Sequence, residues 1–277
     1  MTVILSLAQV DGTIWALGPA GLYRVQGRSL TPEPQPQEQP GCCAGAGGRL
    51  LVGGAPNGVA YPQGGGWQAA WMDGVTARVV CLAPDPRIAQ TGAVLAGTLG
   101  GGLLRSENRG ETWVACNFGL REVDVYCLAW AAPQPAGVWP PREVAFAGTD
   151  AAIYRSPNGG RGWRCSAEVG APVLCCAASA DFHTDGVVLA GTEEAGLWRS
   201  ADGGHTFAPV PGAPETVNAL AALPAGWLLG DAEGVQRSAD GLAWERVPGS
   251  KPALAFLVTD DGILAGGETG VEWLAPL

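Results

Sequence analysis

Short apolar runs that end in glycine recur along the whole chain, at 14–18, 50–53, 94–97, 144–148, 188–191, 227–230 and 263–266. Three to five residues beyond each glycine a second apolar run begins, at Gly21, Gly58, Gly102, Ala152, Gly196, Gly234 and Gly270. Another run precedes each copy. Runs this short, separated by Gly-rich turns, read as strands rather than helices. Their apolar stretches are nearly continuous, which fits strands covered on both faces. Seven four-strand units of roughly 40 residues each predict an all-β fold, a seven-bladed β-propeller of four-stranded antiparallel blades. It forms a single domain over 1–277, with blades near 2–34, 41–72, 78–117, 123–169, 172–211, 215–249 and 252–277. The last unit has room for three strands. The ring is expected to close by packing of the last blade on the first, with a shared closing strand as the alternative.

The glycines that open the second-to-third turns allow the positive φ of a tight hairpin. In the first strand of each unit, one aligned position holds Ser6, Cys42, Cys81, Cys127, Cys175, Ala219 and Ala255. All are small, as expected where strands converge on the axis. Residues 31–40 form a Pro-rich link between the first two blades, expected to be extended and mobile. A second insertion, 132–141, lengthens the first hairpin of blade four and carries Trp139, expected to act as a lid on its own blade, with a partner contact as the alternative.

Composition narrows the function. Net charge is −10 and Lys251 is the sole lysine, so a basic footprint for nucleic acid is missing. No apolar run is long enough to insert in a membrane. The N-terminus lacks a positive n-region and reads as a first strand, so a cytoplasmic protein is expected. Eight cysteines without close-spaced C-x2-C pairs read as packing residues, not a metal site. Neither a P-loop nor a dinucleotide fingerprint is present, and no cofactor or metal is expected. The two histidines, His183 and His205, stand in no triad context, so no catalytic residue is assigned.

The turn after the third strand is the most specific motif. Its copies are Ser106-x-Asn108-x-Gly110 with Trp113, Ser156-x-Asn158-x-Gly160 with Trp163, Ser200-x-Asp202-x-Gly204 with Phe207, and a shorter Ser238-x-Asp240 with Trp244. Gly64-Gly65-Gly66-Trp67 looks like a worn copy. The Asx side chain can close the turn on backbone N–H groups, and the aromatic can return to the blade core. An arginine precedes the turn at positions 24, 105, 155, 199 and 237. A repeated residue reads as architectural. The motif resembles the Asp-box, or bacterial neuraminidase repeat, of sialidases, xyloglucan-active hydrolases, sortilin-type receptors and photosystem II assembly-factor-like propellers. In sialidases, catalysis resembles the work of an arginine triad with a Tyr/Glu pair, on the face away from the boxes. The Phe/Tyr-Arg-Ile-Pro motif that supplies their first arginine is missing. The xyloglucan enzymes resemble a pair of such propellers, and here there is one. The resemblance is greatest to the single-ring assembly-factor-like propellers, which implies a non-catalytic docking platform.

The second-to-third loops, on the face opposite the boxes, carry Asp150, Glu193, Glu194, Asp231, Glu233 and Glu268 in blades four to seven. Blades one to three carry no acid there. This acidic half is the candidate binding surface for a protein partner with a basic segment. The alternative is a carbohydrate-active hydrolase or lyase using carboxylates on that face.

Overall fold

In the computed structural model, which describes residues 2–139 and 142–274, every recurring apolar run is a β-strand. The strands form seven small sheets around an axis, a seven-bladed β-propeller. Blade four is representative: Val125–Trp130, Ala145–Thr149, Ala152–Ser156 and Arg164–Glu168 pair antiparallel in chain order, from axis to rim. Among the described residues the last blade has three strands, Ala255–Thr259, Gly262–Gly267 and Gly270–Trp273. The described residues hold two single-turn helices, Ile88–Thr91 and Phe182–Asp185, and no helix long and apolar enough to cross a membrane.

The glycine that ends each second strand has a packing role. A Cβ on Gly148 would lie 2.5 Å from Val173 Cγ1 and 2.6 Å from Cys127 Sγ. Gly53, Gly97 and Gly191 meet the same pair of neighbours, a cysteine of their own blade and a valine of the next. The cysteine thiols then donate across the seam: Cys127 to the Val173 carbonyl at 3.3 Å, Cys175 to the Val217 carbonyl at 3.4 Å. A bulge just before the cysteine recurs in blades two to five. The small inner residues therefore set how closely blades approach.

The ring closes by packing. The Ile4 N–H donates to the Gly267 carbonyl at 2.9 Å, and Ile4, Ala16 and Val25 of blade one share a cluster with Leu264 of blade seven. Trp273 Nε1 donates to the Gly27 carbonyl at 3.1 Å.

Four local features differ from the sequence expectation. The Pro-rich link is built in: Ser29–Glu33 is the outer strand of blade one. Gln37, 1% exposed, donates to the Val52 and Gly58 carbonyls and accepts from the Asn57 N–H. A buried amide that satisfies three backbone groups holds the link in place. Trp71–Met72 pairs parallel with Thr112–Ala115 and adds a fifth strand to the sheet of blade three. Trp139 is no lid: it is 85% exposed. Finally, Gly64 and Gly65 both have positive φ between paired Gln63 and Gly66, so the supposed worn motif is a two-residue hairpin.

Candidate functional site

The propeller has two chemically different faces. On one, the four Ser-x-Asx turns are closed almost entirely by their own atoms. The Ser156 hydroxyl accepts the Gly160 N–H at 2.8 Å and donates to Asn158 Oδ1 at 2.9 Å. Ser106 and Ser200 repeat this with Gly110 and Gly204. Ser238, in the turn that is one residue shorter, takes the Gly241 N–H instead. The four serines are buried and their oxygens are fully used. The arginines of the preceding strands reach across the seams: Arg105 Nε donates to the Gly159 carbonyl, Arg155 Nε to Gly203 and Arg199 Nε to Asp240. The turns of blades four, five and six are thus clamped by the blade before them. The aromatics sit in the same seams, Trp113 with Leu51 of blade two, Trp163 with Leu95 of blade three and Trp244 with Leu189 of blade five. These groups serve architecture. His205 lies exposed within one turn, and His183 Nε2 meets the Ala132 carbonyl at 2.8 Å.

On the opposite face the second-to-third turns meet the blade-to-blade loops. The Gly102 N–H donates to the Val123 carbonyl and the Gly100 N–H to Asp124 Oδ1. The Glu193 N–H donates to the Pro172 carbonyl, and Gly196 to Glu215. Rigid loops of this kind hold their side chains outward. Asp150, Glu193, Glu194, Glu233 and Glu268 are exposed there. Asp231 is different. It is 3% exposed and accepts from the Glu233 and Gly234 N–H groups, Gln236 Nε2 and Arg246 NH1. Burial opposes its ionisation, but the Arg246 and Gln236 hydrogen bonds outweigh that and hold the carboxyl below its ordinary range. Arg246 also pairs with Glu233 at 2.9 Å, so these two acids are committed to their own blade.

Three carboxylates act on one phenol near the axis. Tyr126, on the inner strand of blade four, lines the axial cavity of about 270 Å³. Partial burial raises its phenol pKa first, and the charges of Asp124, Asp150 and Glu193 raise it further. Asp124 comes from the link between blades three and four, Asp150 from blade four and Glu193 from blade five. The charges of adjacent blades thus act together on Tyr126, while the axial cavity itself is lined by no acid among the described residues. Asp124 and Tyr126 are not singled out by the repeat alignment. Their signal was topological: a blade-to-blade loop and the strand after it must reach this face.

The thiols around the axis are held neutral. Burial pushes Cys43 up to about 12 and raises Cys42, Cys81, Cys127 and Cys175. Among the described residues no three His, Cys, Asp or Glu side chains are grouped to hold a metal ion.

No protein-family profile and no curated protein matches this chain. Solved structures do. The extracellular domain of a one-component system from B. thetaiotaomicron superposes with a TM-score of 0.75 at 14% identity over 99% of this chain, which spans 38% of that chain's length. YCF48 bound to D1 peptide gives 0.71 at 15% identity, covering 100% of this chain and 93% of that one. YCF48 from Cyanidioschyzon merolae gives 0.65 at 14% identity, over 98% and 94%. At such identities the likeness establishes the propeller fold alone.

Proposed function

We propose that the protein is a non-enzymatic binding or assembly scaffold whose partner docks on the face opposite the Ser-x-Asx turns. The turns themselves are read as Asp-boxes, in keeping with their hydrogen-bond pattern. The observation that carries the proposal is the set of exposed acids Asp150, Glu193 and Glu194 on the second-to-third loops of blades four and five, with the Glu193 loop tied by backbone hydrogen bonds to the blade-to-blade loops beside it. An acidic patch suits a partner segment with Lys or Arg side chains, because complementary charge steers and orients docking. The fold neighbour YCF48, solved with a bound peptide, lends support. Asp231 and Glu233 serve as supports for their loop, and Glu194 and Glu268 extend the acidic rim.

The test is affinity purification from the native host with the wild type and the Asp150→Ala/Glu193→Ala variant, at low and high salt. The wild type should retain a partner at low salt that the variant loses by about tenfold or more. Equal recovery by both removes the patch from the reading. Glycosidase turnover by the purified protein would remove the non-enzymatic one.

A further inference from the structure

The seams between blades three and four and between blades four and five share one design and differ in charge. In the first, Arg87 and Arg105 of blade three and Arg161 of blade four are joined by two carboxylates. Glu107 accepts from Arg105 and, at 3.0 Å, from Arg161. Glu143 accepts from Arg161 at 3.3 Å and from Arg87 at 2.9 Å. In the second seam the repeat puts Arg155 at the place of Arg105 and His205 at the place of Arg161. It puts Pro157 at the place of Glu107 and Gly186 at the place of Glu143. Neither bridging acid is present, yet the cations are. Arg142, from the first hairpin of blade four, and His183, from the single-turn helix of blade five, join Arg155 and His205 around a cavity of about 270 Å³ on the turn face. Both histidines of a chain with net charge −10 line this one cavity. In the next seam the arginine is Arg199, and the turn opposite it, Asp240-Gly241-Leu242-Ala243, brings no cation.

The donors of the cavity are uncommitted. Among the described residues, the Arg142 guanidinium and the His205 imidazole bond to nothing in the protein, and each residue donates through its backbone N–H. Arg155 uses Nε on the Gly203 carbonyl and His183 uses Nε2 on the Ala132 carbonyl, which leaves NH1, NH2 and Nδ1. The two carboxylates of the cavity are engaged within their own blade. Asp185 accepts the Ser179 hydroxyl at 2.6 Å and the Val187 N–H at 2.9 Å, and Asp202 closes its turn. Burial lowers the Arg155 pKa first and the charge of Arg142 lowers it further, against the opposite pull of Asp202. A nearby anion relieves both effects. We infer that this seam binds a doubly charged tetrahedral oxyanion, the phosphate of a phosphate monoester, between Arg142, Arg155, His183 and His205. The ligand supplies the two negative charges that Glu107 and Glu143 supply next door. A tetrahedral group suits donors that arrive from two hairpins, a strand and a turn, whereas a carboxylate offers two oxygens in one plane. A second cavity of about 320 Å³ shares Arg142, His183 and Thr184 and adds the exposed Trp139. The ester group lies there, against the indole. The site is on the face away from the acidic loops at Asp150 and Glu193 and is independent of them.

The experiment uses the full chain with phenyl phosphate, inorganic phosphate and sulfate, followed by calorimetry at low ionic strength. Phenyl phosphate should saturate one site by about 10 mM. It should bind about threefold or more tighter than inorganic phosphate, an advantage that Trp139→Ala removes. Arg142→Gln and His205→Ala alter exposed side chains and should each weaken binding about fivefold or more. Pro157→Glu restores the acid of the sister seam and should weaken binding about tenfold. Glu107 holds that place in the same turn of blade three, so the variant folds. Sulfate keeps its charge across this range, and should bind several-fold tighter at about pH 5.5 than at about pH 7.5, because imidazoles gain charge there. His205→Ala should flatten that rise. Asp150→Ala/Glu193→Ala should change nothing. The inference is overturned if no probe saturates, if Pro157→Glu, Arg142→Gln and His205→Ala all bind as the wild type does, or if sulfate binding ignores pH. Equal affinity for the two phosphates removes the ester from it. Loss of binding in the Asp150/Glu193 variant would move the anion site off this seam, and leaves the docking face proposed above standing.

Discussion

At Asp202 one carboxylate closes a turn that asparagine closes in blades three and four. It accepts the Ser200 hydroxyl, the His205 N–H, and both the N–H and the hydroxyl of Thr206. Desolvation opposes ionisation, but the Thr206, Ser200 and His205 hydrogen bonds prevail and hold the carboxyl well below its usual range. A folded-state value below the unfolded one means that the stabilisation is present above about pH 4 and lost as pH falls toward the folded value. Asp202→Asn should keep the turn and remove that loss. The denaturation midpoint of the variant should vary less between about pH 5 and pH 2 than that of the wild type. A steeper acid loss in the variant would contradict this assignment. The same scale shows what could be read in advance. Glu193 and Glu194 stood out because sister copies lack them. Asp231 looked the same in sequence, yet Arg246, fifteen residues on, takes its charge. No periodicity records such a pairing.

At the scale of strands, the second and third runs were legible because each is apolar and punctuated by glycine. The fourth strands were not, since Ala208–Pro209 and Glu245–Arg246 are two residues long and exposed. Trp71–Met72 joins a sheet it precedes in sequence, a parallel pairing that local pattern cannot disclose. The glycine that ends each second strand was visible, but its reason lay in the neighbouring blade. Gly148→Ala should destabilise by about 1–3 kcal/mol, because Cys127 and Val173 already occupy the space. In urea titrations, Val173→Ala should recover part of that loss when combined with Gly148→Ala. Strict additivity of the two substitutions would place the strain elsewhere.

For the whole molecule, blade count and ring order followed from seven repeats, and closure by packing from the three-strand room in the last unit. The combined charge of Asp124, Asp150 and Glu193 on Tyr126 required the ring itself, because the three acids come from different loops. Closure depends heavily on Trp273, which packs against the cluster that joins Ile4, Ala16 and Val25 of blade one to Leu264 of blade seven and bonds Gly27. Trp273→Ala should lower stability by about 2 kcal/mol. It should speed amide exchange in blades one and seven more than in blade four, by local opening. Uniform acceleration would argue for a global effect. The Trp273–Gly27 bond joins positions 246 residues apart. Nearly every other strand pairing is between neighbours in sequence, so six blades can assemble as the chain emerges from its synthesis, each on the last. The final joint cannot. Until Trp273 arrives, Ile4 and Val25 face solvent on an open crescent, and bringing the two ends together is the step that topology makes slow.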